Sequence, residues 1–131
     1  MVRADGTYPT AALRQDAITA AVVQTRVQGV SGANPGPDLK RNLDYFLECI
    51  DIAQGYGGRS DLLLFHEFPI TGFSEWTREQ HYDTALEIPG PETEEVAKRA
   101  KKYNCYIVFG TYAKDPKNWP GHILHVMVMV K

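Results

Sequence analysis

The stretch Asp61-Leu62-Leu63-Leu64-Phe65-His66-Glu67-Phe68-Pro69-Ile70-Thr71-Gly72-Phe73 decides how the rest of the chain is read. Four apolar residues run without a polar interruption, as in a strand covered on both faces of a parallel sheet. Pro69 and Gly72 then break regular pairing and open a loop. The run therefore ends on a carboxylate, Glu67, at the carboxyl end of a buried strand. Open α/β sheets gather their reactive groups at that edge. Glu67 is the leading candidate for chemistry.

Working outward, residues 18–27 are rich in β-branched side chains and read as a first strand. A Gly- and Pro-rich loop follows, with neither a G-x-G-x-x-G pattern nor a Walker lysine. Residues 38–54 repeat Leu39, Leu43, Phe46, Leu47, Ile50 and Ala53 at the helical period, with Pro37 before them and Gly55, Gly57 and Gly58 after. Residues 71–91 read as irregular, with Phe73 and Trp76 placed to line a small-substrate pocket. Residues 92–103 form a second helix, acidic at its start and basic at its end, which complements the macrodipole. Asn104 suits a left-handed stop. Strands are expected at 105–113 and 122–130, joined by a turn. Helix-linked strands imply a mostly parallel sheet flanked by helices, with an antiparallel addition at the last turn.

The whole chain has 131 residues, 44% hydrophobic and 23% charged, with a net charge of −2. That is one domain's worth of ordinary globular composition, and it offers no electrostatic surface for nucleic acid. Residues 1–17 read as a flexible polar leader and 18–131 as the domain. No run approaches a membrane span. Two cysteines, Cys49 and Cys105, are too few for a disulfide framework and fit a reduced, cytoplasmic setting. His81, His122 and His125 converge in no ligand set, so no metal and no cofactor is expected. The last apolar strand is followed only by Lys131, which suggests an uncovered sheet edge and the first part of a larger sheet.

Several segments together resemble the nitrilase superfamily, the carbon–nitrogen hydrolases that include nitrilases, aliphatic amidases and carbamoylases. Asn42-Leu43 resembles the start of its first helix. Leu63-Leu64-Phe65-His66-Glu67 through Gly72-Phe73 resembles its first catalytic motif. Ile88-Pro89-Gly90-Pro91-Glu92-Thr93 and Tyr106-Ile107-Val108-Phe109-Gly110-Thr111 resemble the stretch leading into the next strand. The resemblance implies the N-terminal half of an α-β-β-α sandwich and a Glu-Lys-Cys mechanism on a non-peptide C–N bond. It also implies a small amide or nitrile substrate and homo-oligomeric assembly.

By motif, Glu67 matches the general base, a role that calls for burial among apolar walls to raise its proton affinity. His66 stands where many members have Pro. It alternates with Glu67 along the strand and so reads as a hydrogen-bonded supporting residue. Neither cysteine matches the nucleophile's motif, and Cys105 starts a strand whereas Glu67 ends one. Lys131 comes too early for the family's lysine. The alternatives are an inactive fragment or interaction protein that self-associates through its sheet edge, and a nucleotide-binding α/β domain, which the missing phosphate loop disfavours.

Overall fold

Phe46 is the pivot of the interior. Its ring meets Phe65 edge-on at 4.7 Å between centroids and Phe109 at 5.2 Å, tying one helix to two neighbouring strands. The computed structural model describes Asp5 and residues 15–131. Most of the expected leader, residues 1–4 and 6–14, lies outside the described residues. The elements run β1 (Ala20–Val23), α1 (Pro35–Tyr56), β2 (Leu62–Phe65), α2 (Arg78–Thr84), β3 (Leu86–Glu87), α3 (Pro91–Tyr103), β4 (Tyr106–Asp115) and β5 (Trp119–Val130).

The sheet is parallel from β1 through β2 to β4, and β3 also pairs parallel with β4, while β5 joins β4 antiparallel. The mostly parallel sheet with flanking helices expected from the sequence is present. Because β5 occupies one whole edge of β4, strands β2 and β3 share the other. β2 takes Tyr106 to Val108, and β3 takes Ala113 and Lys114. The four β4 residues between them are left for a loop.

One face of the sheet is filled. Leu63, Phe65, Ile107, Phe109 and Val128 pack with Phe46, Leu47 and Ile50 of α1 and Val96 and Ala100 of α3. These are the stripes that the helical periodicity singled out. At the rim, Asp51 of α1 bridges to α3. Burial pushes its carboxyl up, but the Tyr103 hydroxyl, Lys102 and Arg99 outweigh that and hold it below the usual value. The opposite face is apolar and open: Val22 is 81% exposed, Met127 65% and Met129 64%.

Four expectations shift. The first strand spans Ala20–Val23, not 18–27, because its partner β2 ends at Phe65, opposite Val23. Helix α1 begins three residues early, with Pro35 in its first turn. The irregular stretch holds α2 and β3. Thr77 and Gln80 form a reciprocal cap at the start of α2, a local signal that the surrounding polar residues obscured. The last strand starts at Trp119, because Asp115 accepts from the backbone N–H of both Lys117 and Asn118 and closes the turn within three residues. Asn104 ends α3 with φ 51°, as expected.

Candidate active site

After Phe65 the chain leaves the ladder but stays against β4. The amide of Gly110 donates to the His66 carbonyl at 3.3 Å, and the Glu67 backbone lies on Gly110 itself. A Cβ at Gly110 would sit 2.6 Å from the Glu67 carbonyl oxygen and 2.8 Å from its Cα. Only glycine permits that approach. From the helix side, buried Asn42 donates to the Ile70 carbonyl at 2.9 Å and to the Gln28 carbonyl at 3.1 Å, clamping two loops to α1. Gly72, with φ 61°, passes against the Gln28 carbonyl, a contact that any side chain would block.

His66 supports this loop. Its Nδ1 accepts the Phe68 backbone N–H at 3.2 Å, so the ring proton resides on Nε2 and donates to Thr25 Oγ1 at 2.6 Å. Burial lowers its proton affinity. The supporting role read from the strand alternation is what the geometry shows.

Glu67 points to the open face. Its Oε1 lies 2.9 Å from His125 Nε2. His125 sits on β5 directly across from Tyr112 of β4. Phe68 stacks on both rings, at 4.6 Å from Tyr112 and 5.3 Å from His125. Phe73 flanks Phe68 at 5.9 Å, and Trp76 meets Tyr112 edge-on at 6.3 Å while donating to the Val30 carbonyl. His81 closes the cluster, with its ring edge-on to Tyr112 at 4.1 Å and its Nε2 buried without a hydrogen-bond partner. Burial lowers the His81 proton affinity. Burial, and then the Glu67 charge, raise the Tyr112 phenol.

One site expectation needs correcting. The sequence suggested apolar walls around Glu67, yet its side chain is 56% exposed. Phe68 and Tyr112 wall one side only among the described residues. Phe73 and Trp76 do reach the same aromatic cluster, although Phe73 is itself largely exposed. Sequence reading missed Tyr112 and His125 as neighbours of Glu67, and His81 as a neighbour of Tyr112. The hairpin register would have paired Tyr112 with His125, but the turn length needed to set that register was misjudged.

The cysteines lie elsewhere. Both are buried, and burial raises both thiols. Cys105 precedes Tyr106, which pairs with Leu62. It therefore belongs to the opposite end of the sheet from Glu67, roughly 15–20 Å away at about 3.3 Å per residue. Among the described residues no group of three or more His, Cys, Asp or Glu side chains is placed to hold a metal. No described helix is long and apolar enough to cross a membrane.

A family model described as carbon–nitrogen hydrolase matches residues 19–128. The chain belongs to the carbon–nitrogen hydrolase family. Its fold matches an N-terminal amidase bound to a Gln-Gly peptide, with a TM-score of 0.68 at 16% identity. It also matches an N-terminal amidase structure at 0.67 and 20% identity. Both alignments cover 86% of this chain and 25% of the amidase. A CN-hydrolase superfamily protein from Xanthomonas campestris, with an arsenic adduct in its active site, matches at 0.56 and 19% identity, over 82% of this chain and 39% of that one. The carbon–nitrogen hydrolase chain described here thus spans a quarter of the amidase's length and shares its fold over that part.

Two outcomes follow from this geometry. Gly110→Ala must push the Glu67 loop off β4, a packing clash of about 1–3 kcal/mol. Urea unfolding should show that loss, and NMR should show the Glu67–His125 contact broken. Two half-buried imidazoles set a pH dependence. His66 and His81 bind protons less readily folded than unfolded, so the unfolded chain gains protons first as pH falls through 6.5, the ordinary histidine value. Stability is therefore complete above that value and declines below it. The urea midpoint should drop between about pH 7.5 and 5.5, and less so in His66→Gln. An unchanged midpoint across that interval would contradict the burial.

Proposed function

We propose that this segment supplies the general base of a thiol-dependent carbon–nitrogen hydrolase, with Glu67 in that role. The observation that supports it most is the backbone placement of Glu67. Its Cα rests on Gly110, at the carboxyl end of β2, while its carboxylate faces the open side of the sheet. In this reading the carboxylate takes the proton of a cysteine thiol as the sulfur adds to an amide or nitrile carbon. For an amide, the C–N bond then breaks and the amine leaves with a proton. Water, deprotonated by the same carboxylate, releases the acid from the thioester. A lysine stabilises the charged intermediate.

Neither cysteine of this chain stands beside Glu67, and no lysine does among the described residues. The reading therefore assigns those two groups to sequence outside these 131 residues. Two of the matched amidase structures contain peptides that begin with Gln and one a peptide that begins with Asn, so small amide-bearing compounds are the substrates to test first.

A second reading, self-association, is favoured by the open face bearing Val22, Met127 and Met129 and by the outer edge of β5. An apolar face of this kind marks an interaction surface more often than a solvated one.

The 131-residue chain should turn over neither amides nor nitriles. In a chain that joins this segment to the thiol and lysine, Glu67→Gln should lower hydrolysis by about 10²–10⁴-fold. Hydrolysis by the 131-residue chain that survives Cys49→Ala and Cys105→Ala yet disappears with Glu67→Gln would overturn the assignment. For self-association, size-exclusion chromatography should show a species larger than the monomer. A clean monomer with cooperative unfolding would remove that reading.

A further inference from the structure

His66 closes a short turn of hydrogen bonds around Glu67. Its carbonyl accepts the Gly110 N–H at 3.3 Å, and its ring Nδ1 accepts the Phe68 backbone N–H at 3.2 Å. The residue between those two anchors is Glu67, whose Cα and carbonyl lie against Gly110. A side-chain acceptor that reaches the amide two residues on makes the bond of an Asx-turn, here with an imidazole in place of Asn or Asp. The far side of the ring is fixed as well, because Nε2 donates to Thr25 Oγ1 at 2.6 Å, just beyond β1. Phe68 in turn is buried and stacked on Tyr112. Both ring nitrogens are thus committed in a fixed order, acceptor to the loop and donor to Thr25.

We propose that His66 is a positioning residue for Glu67 that works only as the neutral imidazole: its Nδ1 lone pair holds the turn at Phe68, and a proton at Nδ1 releases it. The inference rests on the reading of Glu67 as base. Nε2 already carries the ring proton, so a second proton adds at Nδ1. There it sets one N–H against another, two donors with no acceptor between them. The charged ring keeps its bond to Thr25, where it is still a donor, so the Phe68 amide is the group that swings free. Glu67 then loses the turn that aims its carboxylate. The direction in pH follows from burial, which lowers the His66 proton affinity. The turn is closed above the ordinary histidine value of 6.5 and opens as pH falls through the lower folded value. The site thereby has an acid-side limit that does not come from protonation of Glu67 itself.

The surrounding titratable groups do not compete for this role. Arg26 follows Thr25 and is exposed. Arg41 of α1 is engaged by Asp38 and the Gly29 carbonyl. On the open side, Glu67 lies beside His125 of β5. Tyr112 of β4 stays protonated, since burial and then the Glu67 charge raise its phenol. His81 of α2 lies against Tyr112, and burial keeps it neutral to lower pH than an ordinary imidazole. Among the described residues, His66 is the histidine whose ring accepts a backbone N–H.

The test is an NMR titration of the 131-residue chain downward from neutral pH, which needs no turnover. At the start the His66 ring nitrogens should show the tautomer with its proton on Nε2. As the ring titrates, the Phe68 amide should shift in step and lose its protection from exchange. The proton contacts between Glu67 and Gly110 should weaken over the same interval, while ring signals of Phe46 and Phe65 keep their folded positions. His66→Asn, whose Oδ1 can accept the same amide but cannot titrate, should keep Phe68 protected throughout. His66→Phe should leave it unprotected at every pH, with the same core signals reporting that the chain is folded. A Phe68 amide unmoved as His66 titrates would overturn the proposal. So would one that changes only when the Phe46 and Phe65 signals collapse, or a proton found on Nδ1 at neutral pH. A Phe68 amide that still titrates in His66→Asn would do the same. These readings concern backbone and ring alone, so the positioning can fail while Glu67 remains a base, and the Glu67→Gln hydrolysis assay tests the base separately.

Discussion

One edge of β4 serves two strands and a loop, and the arrangement of the site depends on that division. β2 uses the first part of the edge and β3 the last. The loop that carries Glu67 crosses the gap between them, where Gly110 lets one backbone rest on another. Shortening the gap would extend the ladder and carry Glu67 into a strand. A side chain at Gly110 would push the loop away. Asn42 secures the same loop from the helix side by satisfying the Ile70 carbonyl, which would otherwise be buried unpaired, an omission that typically costs about 1–3 kcal/mol.

The two faces of the sheet differ in how they are covered. Phe46, Phe65, Phe109 and their neighbours fill the helix side, where burial supplies the driving force for folding. The other face carries Glu67, Tyr112 and His125 at one end and exposed methionines along its length. Methionine adapts its shape to whatever packs against it. Among the described residues no helix covers this side as α1 and α3 cover the other.

Much of this was legible in the sequence because local rules and long-range packing agreed. The stripes on α1 and α3, the apolar run of β2 and the left-handed stop at Asn104 all follow from periodicity and end signals. Where the reading slipped, the cause was a partner beyond the local window. Residues 24–27 have strand composition but no strand beside them, since β2 has already ended. The short helix α2 depends on a two-residue cap set among polar neighbours. The place of Glu67 just past a strand end was legible, but its exposure depends on what lies across the open face. The His125 contact depends on a hairpin register that only the three-residue turn at Asp115 defines.

The Gly110 contact has a further consequence. It holds the peptide groups on either side of Glu67 and leaves the side chain out of the anchoring. The loop geometry is thus written in residues 66, 70, 72 and 110, not in the identity of residue 67. A chain that exchanged the glutamate for a neutral residue would keep the loop's path and lose only the carboxylate. Loop shape and side-chain chemistry can therefore vary independently, which is why a shared scaffold at 16–20% identity speaks for the fold and not for the activity.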